Sequence, residues 1–431
     1  MNSAAIRRVS GRRVWDSRGR PTVEAEVELE SGAVGRAIAP AGASTGSGEA
    51  LDLRDDDGFD VRRAVANVNG SIAQALAGAD AADQESVDAL LIAADGTPDK
   101  RRLGGNATIA VSLAVLQAAA AAHGQPLWRY LAPDATRIPL PEIQIFGGGA
   151  HAAGRIDIQD LMVVCPSATS FAEALDRTAS VYRAAGRYMA ERGLLQGVAD
   201  EGGYWPAFAS NEDALEALLR AIELAGLTPG RDAAISLDIA ASQFGSAGKY
   251  RLGRDRQLLD SDGLIELLGR WIDRYPIVSI EDPLAEDDPE GFRRFTAAFG
   301  SKVQVIGDDL LVTNAERVKK AAAGRECNAV LVKPNQAGTV TETRAALDAA
   351  RDAGFGAIVS ARSGETEDVA IVHLAVGWKA AQLKVGSFSR SERMAKWNEA
   401  LRIEEAIGGG ATVAHPFASQ VSSKFLTEER T

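Results

Sequence analysis

Cysteine is nearly absent from this chain, since only Cys165 and Cys327 occur among its 431 residues. They lie far apart and form no CxxC pair, which favours two buried thiols over a redox or metal-binding role. Long apolar runs are missing too: no stretch approaches the ~18 residues of a membrane-spanning helix. Residues 1–13 contain arginines but not the apolar segment of a signal peptide. We therefore expect a cytoplasmic protein with no membrane partner.

An excess of basic residues is also missing. The 47 Lys and Arg residues against 59 Asp and Glu residues give a net charge of −12. This sign argues against nucleic acid or an anionic membrane as the main partner. A phosphate substrate stays compatible with it, because a local cluster of metal ions, Lys and Arg can override the global charge.

The first part of the chain has the pattern of a meander followed by helices. Residues 22–29 alternate between apolar and polar, which predicts a half-exposed strand. Residues 61–76 and 106–123 have helical patterns, and the second is apolar on nearly every side, so we expect it to be buried. Several prolines mark a boundary near residue 135. A chain of this length favours two domains, here 1–135 and 136–431.

Beyond the boundary, short apolar runs alternate with helical segments. They start ~25 to 45 residues apart, close to the ~30 residues of one unit in a parallel barrel. Continuous apolar runs are typical of parallel strands that helices cover. A doubly wound open sheet is the competing architecture. The six predicted strands are residues 234–238, 277–281, 303–308, 329–333, 357–360 and 382–385.

Five of these strands contain or end in a charged residue, namely Asp238, Glu281, Asp308, Lys333 and Lys384. Side chains at the C-terminal ends of barrel strands converge on the active site, so their joint occurrence favours a site over solvated loop residues. Three converging carboxylates need a compensating cation, and oxygen ligands favour Mg²⁺. A neutral lysine beside a metal-bound carboxylate substrate is equipped to remove the adjacent proton.

Two glycine-rich runs add to this pattern. Residues 41–49 contain glycines and hydroxyl side chains, as in a mobile loop that closes over a phosphate. Residues 198–203 place Glu201 on a flexible turn. Each run taken alone is more typical of an ordinary surface loop.

Taken together, these motifs resemble those of the enolases, and the similarity extends to about Gly408. The resemblance implies an α/β fold, an enolase-type TIM-like barrel in residues 136–431, with an N-terminal α+β cap domain in residues 1–135. The active site is then expected at the C-terminal ends of the barrel strands. The motifs are DSRGRPTVE at 16–24, GASTG at 42–46, DEGGY at 200–204, SIEDP at 279–283, GDDL at 307–310, KPNQ at 333–336 and RSGETED at 362–368.

The resemblance also implies a role for each site residue. Asp238, Glu281 and Asp308 are expected to hold Mg²⁺, and Ser44 is expected to join a second Mg²⁺ that binds with the substrate. The implied catalytic residues are Lys333 as general base at C2, Lys384 as the group that stabilises the developing aci-carboxylate, and Glu201 as general acid. The implied substrate-binding residues are His151, Gln159, Asp160, Ala361, Arg362 and Ser363.

The family also implies a small phosphorylated or phosphonylated acid as substrate and a homodimer or octamer of dimers. The chain departs from the family pattern at a few positions. Ala361 stands where family members have His, and Asp160 where they have Glu; Gly147 and Gln243 differ as well. Ala361 and Asp160 belong to the side of the site that faces the C3 hydroxyl of the substrate. The metal, base and phosphate positions are intact.

This distribution favours a Mg²⁺-dependent enzyme that removes the C2 proton of 2-phosphoglycerate, or of a phospho or phosphono analogue, to give an enolpyruvyl product. The favoured hypothesis is a specialised paralogue, such as the carboxyphosphonoenolpyruvate synthases of phosphonate antibiotic biosynthesis. The first alternative is an ordinary phosphopyruvate hydratase, which forms phosphoenolpyruvate and water. The second is a non-catalytic structural or surface-binding role, which the intact ligand and lysine set disfavours.

Overall fold

A computed structural model describes residues 3–417. The chain begins with an antiparallel meander of β1 (Ile6–Trp15), β2 (Pro21–Leu29) and β3 (Val34–Ile38), paired in that order. The apolar residues of β2 from Val23 to Leu29 are fully buried, as the pattern of residues 22–29 predicts. The other face is less exposed than predicted, because Thr22 and Glu24 are buried as well. The other face of the strand carries glutamates that pair with arginines of β1, such as Glu28 with Arg8.

Helices cover the buried face of this meander. A single helical stretch is formed by α1 (Arg62–Asn67), a π-helical turn (Val68–Ile72) and α2 (Ala73–Leu76). It is followed by α3 (Gln84–Asp95), α4 (Gly105–Ala122) and α5 (Leu127–Leu131). Within the described part of the chain, α4 has the length and composition of a membrane span, which corrects the expectation that no stretch approaches one, yet 83% of it is buried in the interior. It is therefore a core helix, as predicted.

One glycine allows the meander to approach α4 closely. A Cβ atom at Gly35 in β3 would collide with the carbonyl oxygen of Ala114 and the amide nitrogen of Ala118. These are backbone atoms that cannot move aside, so any larger residue would push the strand away from the helix.

The second part of the chain contains short strands and outer helices. Its strands are β4 (Arg137–Ile138), β5 (Leu140–Gly147), β6 (Asp160–Val164), β7 (Ala234–Asp238), β8 (Gly245–Ser246), β9 (Lys249–Leu252), β10 (Gln257–Asp260), β11 (Ile277–Glu281), β12 (Gln304–Gly307), β13 (Ala329–Val332), β14 (Gly356–Ser360), β15 (Gln382–Ser387) and β16 (Thr412–Val413). Its helices are α6 (Phe171–Glu191), α7 (Asn211–Leu224), α8 (Ser261–Arg274), α9 (Pro289–Phe299), α10 (Ala315–Gly324), α11 (Pro334–Ala337), α12 (Val340–Asp352), α13 (Ala370–Gly377) and α14 (Ser391–Ile407).

Eight of these strands close into a barrel in the order β11-β12-β13-β14-β15-β5-β6-β7. The barrel confirms the predicted fold class and excludes the open sheet. All six predicted strands occur in it, whereas β5 and β6 were not predicted from their own patterns. Strand β6 runs antiparallel to both of its neighbours, so the barrel begins with an exception to the parallel pattern.

The barrel interior is apolar in one sector and polar in another. Ile306, Ala329, Leu331 and Ile358 form a separate buried cluster on neighbouring strands. Outside, helices such as α8 turn an apolar face toward the strands. Both cysteines are buried and free, as expected from their spacing.

Candidate active site

The charged residues predicted at the strand ends meet at the mouth of the barrel. Asp238 and Glu281 are the last residues of β7 and β11, and Asp308 and Lys333 directly follow β12 and β13. Lys384 lies within β15. All five side chains are buried, so their charges can be balanced only by one another or by a bound group.

Two lysines neutralise these carboxylates. The Nζ atom of Lys384 lies 3.0 Å from Asp238 Oδ2, 2.8 Å from Glu281 Oε2 and 3.4 Å from Asp160 Oδ2. The Nζ atom of Lys333 lies 2.5 Å from Asp308 Oδ2.

The surroundings of the two lysines keep them charged. Burial alone would lower the pKa of Lys384, but the carboxylates beside it outweigh burial and hold the pKa well above its usual range. The pKa of Lys333 is raised in the same way, with burial opposed mainly by Asp308. A neutral lysine, as the sequence predicts for proton removal, therefore requires another cation beside these carboxylates.

The carboxylate set fits such a cation. Its donors are all oxygen atoms, the ligands that Mg²⁺ prefers. Glu281 Oε1 is buried and has no hydrogen-bond partner among residues 3–417. Burial, followed by the charge of Asp238, raises the pKa of Glu281 well above normal, so the charged form of Glu281 lacks sufficient compensation here. Asp238, Glu281 and Asp308 are therefore suited to hold Mg²⁺.

Two other groups of possible metal ligands are closer together within the described chain. The first is Asp282, Asp308 and Asp309. Asp282 accepts hydrogen bonds from the backbone amides of Asp308 at 2.9 Å and Asp309 at 2.8 Å, so it orients the loop after β12. The second group is His151, Asp160 and Glu201. The predicted Mg²⁺ ligands Asp238, Glu281 and Asp308 are not so close together. The ammonium of Lys384 lies between Asp238 and Glu281.

A loop from the cap domain lies over Arg362. The Arg362 guanidinium donates to Ser44 O at 2.8 Å and forms an ion pair with Glu49 Oε2 at 3.0 Å. A Cβ atom at Gly42 would collide with this guanidinium, so glycine lets the loop pass directly above it. The far side of the loop is held by Glu286, which accepts from Ser47 N at 2.8 Å and Ser47 Oγ at 2.7 Å.

The cavity beneath this loop is about 20 Å³, room for roughly one water molecule. A phosphorylated acid therefore requires residues 41–49 to move outward and to exchange their contacts with Arg362. The Ser363 hydroxyl is buried and lacks a hydrogen-bond partner among residues 3–417, which leaves a donor for an incoming anion.

His151 and Asp160 form the side of the cavity on which the chain departs from the family. His151 Nδ1 lies 3.0 Å from Asp160 Oδ1, and His151 Nε2 lies 3.7 Å from Glu201 Oε1. Burial lowers the pKa of His151, but Glu201 and Asp160 outweigh it and raise the pKa to about 9. Gln144 also donates to Asp160. Asp160 reaches the mouth because it begins the antiparallel strand β6. Ala361 lines the same cavity.

The structure gathers the predicted residues in one place, while their chemical roles stay predictions. Eleven of the thirteen line the cavity, and the other two, Glu281 and Asp308, form ion pairs with its lysines. Gln159 donates to Asp238 Oδ2 at 2.9 Å.

Three supporting residues were missed. Glu49 pairs with Arg362, and Gln336 donates to Asp308 Oδ1 at 2.9 Å. Arg393 on α14 donates to the backbone carbonyls of Arg362 at 2.7 Å and Ser363 at 2.5 Å. Glu49 ends the glycine-rich run 41–49 and Gln336 ends the motif KPNQ, which was an available signal. Arg393 lies some 30 residues away from Ser363 in the sequence, so no local pattern connects it with the loop that it holds.

The fold and the site define the class of protein first: a barrel enzyme whose polar residues converge at the C-terminal strand ends. Family models narrow this class. The model for the enolase C-terminal TIM barrel domain matches residues 135–420, and that for the enolase N-terminal domain matches residues 6–131. A protein named Enolase 1 from Desulfitobacterium hafniense (strain Y51) is 48% identical over 419 residues, 95% of this chain and 96% of its own length.

This chain belongs to the enolase family. Enzymes of this family use Mg²⁺, carry out a lyase-type reaction and act on a small phosphorylated acid.

Proposed function

We propose that this protein converts 2-phosphoglycerate to phosphoenolpyruvate and water with the help of Mg²⁺. The observation that carries the proposal is the pairing of two buried lysines with three strand-end carboxylates in a cavity that also contains Arg362. A bound Mg²⁺ would supply the positive charge that binds the substrate carboxylate and stabilises the enolate. A second Mg²⁺, joined by Ser44, completes the proposed site.

The proposed reaction assigns one proton transfer to each side of the cavity. Lys333 Nζ takes the proton from C2, and the electron pair of that bond forms the C2–C3 double bond. The C3–O bond breaks, and the departing hydroxide takes a proton from Glu201 to become water. Lys384 balances the charge that develops on the substrate carboxylate, and Arg362 with Ser363 binds the phosphate.

The relative named Enolase 1 favours this ordinary reaction over the specialised synthase of the original hypothesis. No comparison supports a carboxyphosphonoenolpyruvate synthase or a role in phosphonate antibiotic biosynthesis. One observation favours a second candidate function. Ala361 puts a methyl group in the cavity where the family has an imidazole. In this candidate the C2 proton is still removed, but the substrate or the step at C3 differs.

The two candidates separate in a pair of assays on the purified protein. With 2-phosphoglycerate and Mg²⁺, the ordinary reaction gives rising ultraviolet absorbance from phosphoenolpyruvate. In deuterated water, the second candidate gives exchange of the C2 hydrogen without that rise. Lys333→Ala is expected to abolish both signals, because it removes the proposed base. Exchange that Lys333→Ala leaves unchanged would contradict both candidates.

We further propose a homo-oligomer, a dimer or an octamer of dimers, in keeping with the family. Light scattering of the purified protein tests this proposal, and a monomer at all concentrations would refute it.

A further inference from the structure

A layer of buried polar side chains lies inside the barrel beneath the candidate site. It consists of Glu142, Ser236, Ser279, Gln304 and Gln382, which we call the interior girdle. Its members come from five strands, β5, β7, β11, β12 and β15. The proposed reaction uses none of them, although Glu142 is a completely buried carboxyl group.

The hydrogen bonds of the interior girdle all point toward Glu142. Ser236 Oγ donates to one carboxylate oxygen, and Gln382 Nε2 donates to the other at 3.4 Å. Gln382 in turn accepts from Gln304 Nε2 at 2.9 Å, and Gln304 accepts from Ser279 Oγ at 3.3 Å. Glu142 is thus the final acceptor of a chain of donors that reaches both ways around the barrel.

Three members of the girdle lie on the same strand as a residue of the candidate site. Residues two apart on a strand face the same side. Ser236 therefore lies directly below Asp238, Ser279 below Glu281, and Gln382 below Lys384. Glu142 is also the cross-strand partner of Lys384 in the pairing of β5 with β15.

We propose that Glu142 is a positioning residue, which fixes the barrel-mouth lysine and carboxylates through the interior girdle. This inference rests on the proposed function, which makes the barrel mouth the Mg²⁺ site. It deepens that function by assigning a role to the layer of polar residues beneath the mouth. Groups that orient metal ligands from behind commonly change metal affinity or activity by ~10–100-fold when they are altered. A hydrophobic residue at position 142 would leave two buried donors without an acceptor.

The test compares Mg²⁺ affinity by calorimetry, without substrate, together with exchange of the C2 hydrogen. In Glu142→Gln, the amide offers one acceptor oxygen where the carboxylate offered two, so either Ser236 or Gln382 loses the acceptor of its hydrogen bond and the donor chain is broken. We expect ~10–100-fold weaker Mg²⁺ binding and a slower exchange rate. The double variant Glu142→Gln with Gln382→Glu exchanges the amide and the carboxylate across the two strands. Every donor regains an acceptor, so Mg²⁺ affinity is expected to recover to within a few-fold of wild type.

A matched control is Asp88→Asn, which alters another buried carboxylate. Asp88 accepts from Ser112 Oγ at 2.5 Å and Thr341 Oγ1 at 2.7 Å, and it belongs neither to the girdle nor to the lining of the candidate site. It is expected to lower stability but to leave Mg²⁺ affinity unchanged. If Glu142→Gln does not fold, Ser236→Ala removes one donor and is judged by the same criteria.

The outcomes separate this inference from the proposed function. Wild-type Mg²⁺ affinity in Glu142→Gln, or no recovery in a folded double variant, would overturn the positioning role. A wild-type protein that binds Mg²⁺ but leaves 2-phosphoglycerate unchanged would overturn the proposed function alone, because the calorimetric comparison does not use the substrate.

Discussion

Lys384 offers a direct test of how charge is balanced at the barrel mouth. Its ammonium lies within 3.4 Å of three carboxylates, those of Asp160, Asp238 and Glu281, and all are buried. Removing one partner of a buried ion pair typically costs ~3–5 kcal/mol, because the remaining charge is left uncompensated. We therefore expect Lys384→Met, in the absence of divalent cations, to lower the free energy of unfolding by about 3–5 kcal/mol.

Mg²⁺ should restore much of this loss. A ligand that binds only the folded state stabilises it by RT ln(1 + [L]/Kd), about 2.7 kcal/mol at a hundredfold excess over Kd. In Lys384→Met the carboxylates no longer have an ammonium that competes with the cation. The variant is therefore expected to gain more stability from Mg²⁺ than the wild type does. Urea denaturation followed by fluorescence, with EDTA and then with increasing Mg²⁺, measures both quantities.

Lys100→Met is the matched control. Lys100 is also buried, and its Nζ atom lies 2.6 Å from Glu342 Oε1, which is not one of the carboxylates at the barrel mouth. Glu342 is partly exposed and can be hydrated once its partner is removed, so we expect a smaller loss of stability and no dependence on Mg²⁺. Equal stabilisation by Mg²⁺ in wild type and in Lys384→Met would refute the view that these carboxylates form the cation site. An unchanged stability of Lys384→Met in EDTA would refute the view that the Lys384 ammonium balances the charge of these carboxylates.

Three further predictions concern the rest of the cavity. The pKa of His151 is about 9, against 6.5 for a free histidine, so its charged form contributes stability that is complete below about pH 6.5 and is lost as the pH rises toward 9. His151→Gln should remove this pH dependence from the midpoints of urea denaturation, and a dependence that persists would contradict the prediction. Ala361→His with Asp160→Glu should raise the rate of phosphoenolpyruvate formation by more than tenfold if these positions limit the step at C3, whereas an unchanged rate would exclude them. Glu286→Gln should loosen the loop over Arg362 and speed hydrogen exchange at the Ser47 amide. Exchange elsewhere in the barrel is the internal control. An unchanged exchange rate at Ser47 would show that Glu286 does not hold the loop.

The sequence predicts the parallel part of the barrel well because each strand is a short apolar run between helices. It fails at β5 because the buried polar residues Glu142 and Gln144 interrupt the apolar pattern of that strand. Strand β6 was missed although residues 161–164 form a short buried apolar run. The family resemblance placed Asp160 in the site, but its own pattern could not, since a residue at the start of a strand reaches the mouth only if the strand runs antiparallel.

Supporting contacts were the least predictable part of the site. The chain of donors that ends on Glu142 joins residues as much as 240 positions apart, so no local spacing reveals it. The closure of the loop over Arg362 was hidden for the same reason, because Glu49 and Arg362 lie 313 positions apart.

The two departures from the family pattern are unequal in their consequences. Asp160 is shorter than the expected glutamate, yet it still accepts from His151 and lies 3.4 Å from Lys384, so it connects the two sides of the cavity. Ala361 has no such replacement, because a methyl group neither donates nor accepts a hydrogen bond. Whatever an imidazole contributes at this position must therefore come from a neighbour, and His151 beside Glu201 is the nearest imidazole available in the cavity lining. If the ordinary reaction is retained, His151 and Glu201 must carry the whole proton transfer at C3.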